Sequence, residues 1–594
     1  DKAKRNTGKG LGRPSRKTPT KSEGKAMAIT GIGSVSEWPI DEAEMERLAA
    51  KTDLGHFDAV WDSVLRQYTS KLDDSIFWIS THNNFKKMSH GQKQDLMRRK
   101  KVLVITGLPM DGLAFDEDGM SEIGGIDVPV DVQDQSIPAN NGDYNVRLKF
   151  GTLRHLLASA SSRDGRTLNA LNFPLAVADA KPDGIASDLA AWIATENTAW
   201  CNASSSHFPS RDVRWGLAGN TNAIHYWHID SDGFGTFVEP LVGEKLWLVA
   251  RPLDDPDAFS RTNIFSVEHY NMEGPNTHIF AVEAMLLVPG TRLYMLPNTP
   301  HWVLTVSHAI CHGGHFYSSS SIRETAVALY RAFASGGHLT NTTHAASRVL
   351  LRRLGFFWHS NIVLGENRGS TRFSAHVPDI TMWEGVLDLL SFCALMELLN
   401  VVDQSTYEVA SSTCNFDSSR PADPGMSPLH RLECIAARRI SREMLLHFFT
   451  NYELLDSSGR SIDGVRNLWW KYLGRQVKCL VDLKLMSLRE GIGGAKDCTK
   501  EKFQMQIALF YKGFPHEFRA LAMANEVDSF SWPKTNSHQV RALNHPKADV
   551  PVKNAPFKLE PADLQPEADL DRMEVSSDVE KDFESLPPLK RAGK

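Results

Sequence analysis

Cysteine is scarce in this chain: seven in 594 residues, scattered at Cys201, Cys311, Cys393, Cys414, Cys434, Cys479 and Cys498. No two form a CxxC pair, so neither a zinc finger nor a disulfide framework is supported, and a reducing compartment is the simpler reading. Long apolar runs are missing as well. Each is broken by charge or glycine before it reaches the length of a membrane span, so no membrane partner is expected. Nor does charge of one sign dominate. The 66 Lys and Arg against 71 Asp and Glu leave a formal charge of −5, which gives no global signal for nucleic acid. No secretory signal and no internal repeat is visible; the chain begins at Asp1 rather than Met, so upstream segments stay open. What is present is core material, 42% of the residues being apolar. Chain length alone suggests roughly three or four domains, or fewer with disordered arms.

Composition divides the chain. Residues 1–28 are rich in Lys, Arg, Gly, Ser and Thr with almost no apolar side chain, and read as a disordered basic arm. Its GLGRPSRK segment is a degenerate match to an AT-hook, which fits weak DNA or nucleosome contact; a nuclear-import signal or a solvated arm fits the same residues. Residues 29–100 read as a helical lead-in carrying DEAEMERLAAKT and HFDAVWDSVLRQYTSKL. Residues 101–320 mix strands with a few helices. KVLVITG is a buried strand, FGTLRHLLASA and GIASDLAAWIATENTAW are helical insertions, and TLNALNFP is an apolar connection between them. Residues 321–535 turn helical, with apolar residues recurring at three and four, as in packed amphipathic helices. Residues 536–594, Pro-rich and of mixed charge, read as a disordered tail.

The chemistry concentrates in TNAIHYWHIDSDGFGTFVEPLVGEK, Thr221–Lys245, and in LYMLPNTPHWV further on. Residues i and i+2 of a strand face one side, so His228 and Asp230 can look into one cavity while Ile229 packs behind. The DSDGFG segment favours a turn after the pair, and VGEKLWLVARP reads as turn, strand and terminating Pro. AMLLVPG, TRLYML and HWVLTV read as three strands, the last opened by His301 beside the PNTP turn. Two imidazoles and a carboxylate can hold Fe(II) with one face left open. Zinc is the chemical competitor for such a set, although Lys245 without an obvious general-base glutamate argues against zinc hydrolysis. A zinc reading of Cys311–His315, CHGGH, is disfavoured by its place in an apparent strand. The aromatic residues Tyr226, Trp227, Tyr294 and Trp302 are cavity-wall candidates that default to core.

These segments resemble the Jumonji C (JmjC) family of cupin-like oxygenases, in its fungal forms. The resemblance rests on HID at His228–Asp230, GEKLW at Gly243–Trp247, VPGTRLYMLPNTPHWV at Val288–Val303 and HGGHFYS at His312–Ser318, with VLVITGLP, VPVDVQDQS, LNALNFP and SDLAAW upstream. It implies an α+β fold with a double-stranded β-helix barrel as catalytic domain, framed by the helical lead-in and the helical C-terminal domain. It also implies His228, Asp230 and His301 as iron ligands and Lys245 as partner of the distal carboxylate of 2-oxoglutarate. Relatives carry Thr or Ser shortly before the first ligand as a further cosubstrate contact. Ile224 and His225 stand there in this chain, with Thr221 and Tyr226 the nearest hydroxyls, so His225 takes that contact or it is absent. Relatives also carry GGNF where this chain has GGHF, which brings His315 near the cavity as a supporting or core residue rather than a fourth ligand.

The activity so implied is oxidation of a protein C–H bond by O₂, coupled to decarboxylation of 2-oxoglutarate at Fe(II). Demethylation of histone N-methyl-lysine in the nucleus is the preferred expectation, from the resemblance and the basic arm. Hydroxylation of a protein side chain shares the same chemistry, whether the target is a histone tail or another protein. A silent chromatin scaffold is the alternative of another class, against which the intact triad and Lys245 argue. Oligomeric state is not legible.

Overall fold

Two stretches rich in β-branched and aromatic residues, Gly235–Pro252 and His301–Phe316, form the longest strands of the sheet. The computed structural model describes residues 75–99, 102–137, 147–162, 165–175, 184–196, 208–253, 270–271, 274–275, 280–335, 344–367, 369–407, 428–462, 465–490, 498–514, 518–519, 522 and 539–545. All lie in one compact unit, residues 39–594. The basic arm, both stretches expected to be helical before Asp73, and the tail beyond residue 545 fall outside the described residues.

The eleven strands of the large sheet are β1 (Phe77–Thr81), β2 (Val102–Thr106), β3 (Val130–Asp134), β4 (Leu148–Gly151), β5 (Leu168–Pro174), β6 (Arg214–Gly219), β7 (Ile224–His228), β8 (Gly235–Pro252), β9 (Phe280–Leu287), β10 (Thr291–Met295) and β11 (His301–Phe316). Their order is β1-β2-β10-β8-β11-β6-β5-β3-β4, with β9 paired to β8 and β7 to β11. Only the β1–β2 pair is parallel among the pairings of this sheet. The chain is therefore a mixed α+β protein with a large, mainly antiparallel sheet.

β8 and β11 run side by side but change their outer partners along their length. The first half of β8 pairs with β10 and the second half with β9. The first half of β11 pairs with β7 and the second with β6. Between the halves their mutual register shifts at Thr305/Ser307, Ser307/Ile310 and Ile310/Cys311, bulges of the kind that bend a strand. Gly243 sits at this bend with φ +76°, and a Cβ there would lie 2.1 Å from the His308 carbonyl oxygen. The sequence suggests a turn at Val242–Gly243. One continuous strand passes through it instead, because glycine alone absorbs the kink. TLNALNFP, expected as a connection, is strand β5, paired to both β3 and β6.

Side chains alternate across this bent sheet. On β11, Cys311 and His315 face an internal cavity, while Ile310 and Phe316 belong to apolar clusters on the other side. Helix α1 (His90–Arg98), fixed by a Ser89/Gln92 capping box, packs Leu96 and Met97 with Phe237, Tyr294 and Phe316. Helix α2 (Ser187–Ala194) contributes Ala191 and Trp192 to the largest core cluster.

The helical half comprises α3 (Ile322–Ser335), α4 (Ser347–Ile362), α5 (Trp383–Leu398), α6 (Pro428–Asn451), α7 (Val465–Glu490) and α8 (Lys500–Lys512). α5 is buried on nearly all sides, as befits a central helix. Its acids are paired: Asp388 accepts from Arg98 at 2.5 Å and from Arg323 at 2.9 Å, and Glu397 from Arg442 at 2.6 Å. One core cluster joins Val213, Phe234 and Tyr317 near the sheet to Leu350, Phe357, Leu390 and Leu480 of these helices. Residues 539–545, expected within the tail, include a strand, Gln539–Ala542, paired antiparallel with Tyr452–Leu455.

Candidate metal centre

The site begins where β7 meets β11. His301 stands opposite His228 and Val303 opposite His225, so the two residues between the β7 pair face the single residue between the β11 pair. This bulge turns both His225 and His228 toward the cavity although they stand three positions apart, an odd step that would put them on opposite faces of a regular strand. β7 ends at His228, and Asp230 caps the short turn Ser231–Gly233. The His–Asp pair therefore does not share one strand, as expected from its spacing, but both side chains reach the same cavity. In the turn Asp232 has φ 57° and Gly233 φ 67°.

His228 Nε2 and His301 Nε2 each lie 3.8 Å from Asp230 Oδ1, and the two imidazole centroids are 4.2 Å apart. One ligand atom from each residue falls within 4.8 Å of the others, the only such grouping of His, Cys, Asp or Glu among the described residues. His228 Nδ1 donates to the Tyr226 carbonyl at 2.7 Å and His301 Nδ1 to the Thr299 carbonyl at 2.9 Å. With Nδ1 engaged in this way, Nε2 is the nitrogen that each ring turns to the centre, the orientation that metal ligation requires. Burial, with His301 adding to it, pushes the His228 imidazole down to about 4, so it is neutral at neutral pH. Burial works against the Asp230 carboxylate, but His301, His315, His228 and the Thr236 hydroxyl together bring it down to about 2. With its carboxylate ionised, this inward-facing His₂Asp set can hold a metal ion.

The cavity, about 700 Å³ including its open mouth, is lined from five strands: Leu171 of β5, Trp215 and Leu217 of β6, His225 and His228 of β7, Thr236, Val238, Lys245 and Trp247 of β8, and His301, Val303, Cys311 and His315 of β11, with Asp230 and His344 beside them. A single sheet must curl around this space to do so.

Lys245 is 2% exposed and points into the cavity. Its ammonium donates to Thr305 Oγ1 at 3.2 Å, and no carboxylate lies within ion-pair range of it among the described residues. Burial lowers its pKa. In the register Lys245 faces Thr305, four residues beyond His301, about 13 Å along the strand at roughly 3.3 Å per residue. Cys311, whose thiol burial pushes up to about 11, lines the same wall.

His225 lines the cavity with its Nε2 2.8 Å from Asn169 Nδ2, and burial followed by the Lys245 charge holds it well below the ordinary histidine range. Thr221 is not at the cavity; its backbone N–H donates to His308 Nδ1 at 3.1 Å. Tyr226, Trp227, Tyr294 and Trp302 are not among the lining residues. The aromatic walls are Trp215 and Trp247, the latter stacked on His301 at 5.3 Å. CHGGH gathers no metal site among the described residues: Cys311 and His315 face inward while His312 sits 3.5 Å from Glu239.

Thr236, Trp215 and His344 were not legible as site residues. Thr236 donates to Asp230 Oδ2 in a very short hydrogen bond and lies 2.9 Å from His315 Nδ1. Trp215 donates to His315 Nε2 at 3.1 Å. His344 arrives from the segment before α4, its N–H donating to Asp232 Oδ2 at 2.7 Å. Thr236 alone carried a signal, since it falls one full period-2 step from Val238 on the strand that leads to Lys245.

No protein-family model matches this chain, and no curated protein sequence matches it. The functional reading therefore rests on the site itself.

Proposed function

We propose that this chain is an Fe(II)- and 2-oxoglutarate-dependent oxygenase of the JmjC type that acts on a protein. One observation carries the reading: a His₂Asp centre and a buried lysine with no carboxylate partner among the described residues look into the same cavity. A buried ammonium is costly unless an anion meets it, and Lys245 is placed to meet one that also reaches the triad. Zinc fits the ligands equally well. Hydrolysis does not fit the rest, because among the described residues no glutamate lines the cavity to serve as general base. The two long strands bent at Gly243 and at the β11 bulges, each shared between two sets of partners, support reading the sheet as a double-stranded β-helix.

His228, Asp230 and His301 would hold the iron, which when bound supplies O₂ activation coupled to decarboxylation of 2-oxoglutarate. Lys245 and Thr305 would anchor the distal carboxylate by a charge-assisted hydrogen bond, strengthened by the low-dielectric wall. Leu171, Leu217, Val238, Val303 and Trp247 give the cavity an apolar lining. His225, between Lys245 and His228, would add a polar contact to the cosubstrate where relatives place a hydroxyl.

Demethylation of histone N-methyl-lysine remains the first substrate reading, from the family resemblance and the basic arm. Hydroxylation of an uncharged side chain is the second. It is favoured by the lining, in which Asp230 is the one carboxylate among the described residues and faces the histidines. Incubation with Fe(II), ascorbate, 2-oxoglutarate and methylated or unmethylated histone peptides separates them. Peptide-stimulated succinate with formaldehyde marks demethylation, and a gain of one oxygen marks hydroxylation. Succinate formation that stays at background for every peptide, with both iron and 2-oxoglutarate bound, directs the activity to a non-histone protein. Failure to bind either leaves a scaffold.

A further inference from the structure

The hydrogen bonds behind Asp230 have a direction that the chemistry of one group fixes. An indole N–H only donates, so Trp215 Nε1, 3.1 Å from His315 Nε2, requires that nitrogen to be bare. The proton of neutral His315 is then on Nδ1, which donates to Thr236 Oγ1 at 2.9 Å. With its oxygen so engaged, the Thr236 hydroxyl turns its own proton to Asp230 Oδ2. Oδ2 is occupied, and Oδ1 alone faces both His228 and His301.

The His315 ring is held for this task. Phe234 stacks on it at 5.4 Å and His344 packs at 4.5 Å. The glycine two residues before His315 is part of the same device. A Cβ on Gly313 would lie 2.6 Å from Trp215 Cη2 and 2.8 Å from its Cζ2, so only glycine lets the indole lie across β11 and reach the imidazole.

We propose that Trp215, His315 and Thr236 form a one-way hydrogen-bond chain that makes Asp230 a single-oxygen metal ligand, with His315 as a positioning residue rather than a ligand. The proposal rests on the metal-centre reading. Remove the indole, and His315 is free to take the other tautomer, accept from Thr236 and leave Asp230 Oδ2 without its donor.

The test uses the full chain and Co(II) alone, with affinity read from visible absorption and the His315 tautomer from nitrogen NMR. Wild type should bind one Co(II) and carry the His315 proton on Nδ1. Trp215→Phe should move that proton to Nε2, and both Trp215→Phe and Thr236→Val should weaken Co(II) binding by about 10-fold or more, the usual effect of losing a group that orients a ligand. His315→Asn, whose amide N–H falls where Nδ1–H stood, should keep near-wild-type affinity, whereas His315→Leu should lose it as Thr236→Val does. An Nε2–H tautomer in the wild-type protein overturns the chain without any variant. Unchanged affinity in both Trp215→Phe and Thr236→Val overturns it as well. Wild type that binds no Co(II) overturns the metal centre itself, and this proposal with it.

Discussion

Lys245 and Thr305 face each other in the β8–β11 register, and the lysine ammonium donates to the threonine hydroxyl at 3.2 Å inside the protein. A neutral hydroxyl is a weak partner for a buried charge. Lys245→Met should therefore move two quantities in opposite directions. Stability without cosubstrate should rise by about 1 kcal/mol or more, because a desolvated charge is removed. Affinity for 2-oxoglutarate should fall by a few kcal/mol, the usual cost of deleting one member of a desolvated ion pair, while Fe(II) affinity holds. Urea titration and calorimetry read the two. A destabilised variant with unchanged 2-oxoglutarate affinity makes the lysine a structural group.

Gly243→Ala tests the bend. With φ at +76° and the His308 carbonyl 2.1 Å from the added Cβ, the strand must shift on both sides of the kink. The loss should be about 3 kcal/mol or more, in the range of strained or overpacked core sites. A midpoint in urea equal to that of wild type means the strand can rebuild here without glycine.

Asp232 ties the helical half to the ligand turn. Its carboxylate accepts from the His344 N–H at 2.7 Å and from Arg348 at 3.5 Å. Its carbonyl accepts from Tyr317 at 2.8 Å, and the next carbonyl, of Gly233, accepts from Thr325 at 2.8 Å. Asp232→Ala should cost about 2–3 kcal/mol through lost hydrogen bonds and a positive φ without a polar side chain. It should also weaken metal binding, as Asp230 is two residues away. Asp232→Asn, which tolerates that φ, should keep more of both. Equal metal affinity in all three proteins separates the turn from the ligand.

Acid stability follows from a buried histidine that does not line the cavity. His376 is pushed down to about 3 by burial, then by His90 and Arg372, and its ring meets His90 at 2.9 Å and Ser187 at 2.9 Å. The unfolded chain binds this proton near pH 6.5 and the folded one only near 3. Stability should therefore fall as pH drops from 6.5 toward 3, by on the order of a few kcal/mol for this group. His376→Gln should show a shallower fall in chemical denaturation at pH 7 and pH 5. An equally steep loss assigns the acid sensitivity to other groups.

The meeting of the candidate site residues was legible because strand periodicity and a turn leave marks in local sequence. His228, Asp230, His301 and Lys245 all reach one cavity, although Asp230 does so from a turn rather than the strand. Of the group behind them only His315 was singled out, from GGHF; its links to Trp215 and Thr236 form only when β6, β8 and β11 pair. Strand β5 was hidden by its two asparagines, residues with low strand propensity. One of these, Asn169, meets His225 at 2.8 Å. The bend at Gly243 mimicked a turn for the same reason that glycine often marks one. Five of the helices in the second half followed from apolar spacing alone, whereas α8 and the strand at Gln539–Ala542 were passed over.

Anaerobic titration of Fe(II) and then 2-oxoglutarate, followed by calorimetry, tests the central claim most directly. Wild type should bind one Fe(II), and 2-oxoglutarate should bind strongly only after the metal. His228→Ala/Asp230→Ala should bind neither, and Lys245→Ala should bind the metal alone. Undiminished Fe(II) binding in the double variant, or 2-oxoglutarate binding that ignores both the metal and Lys245, would contradict the account.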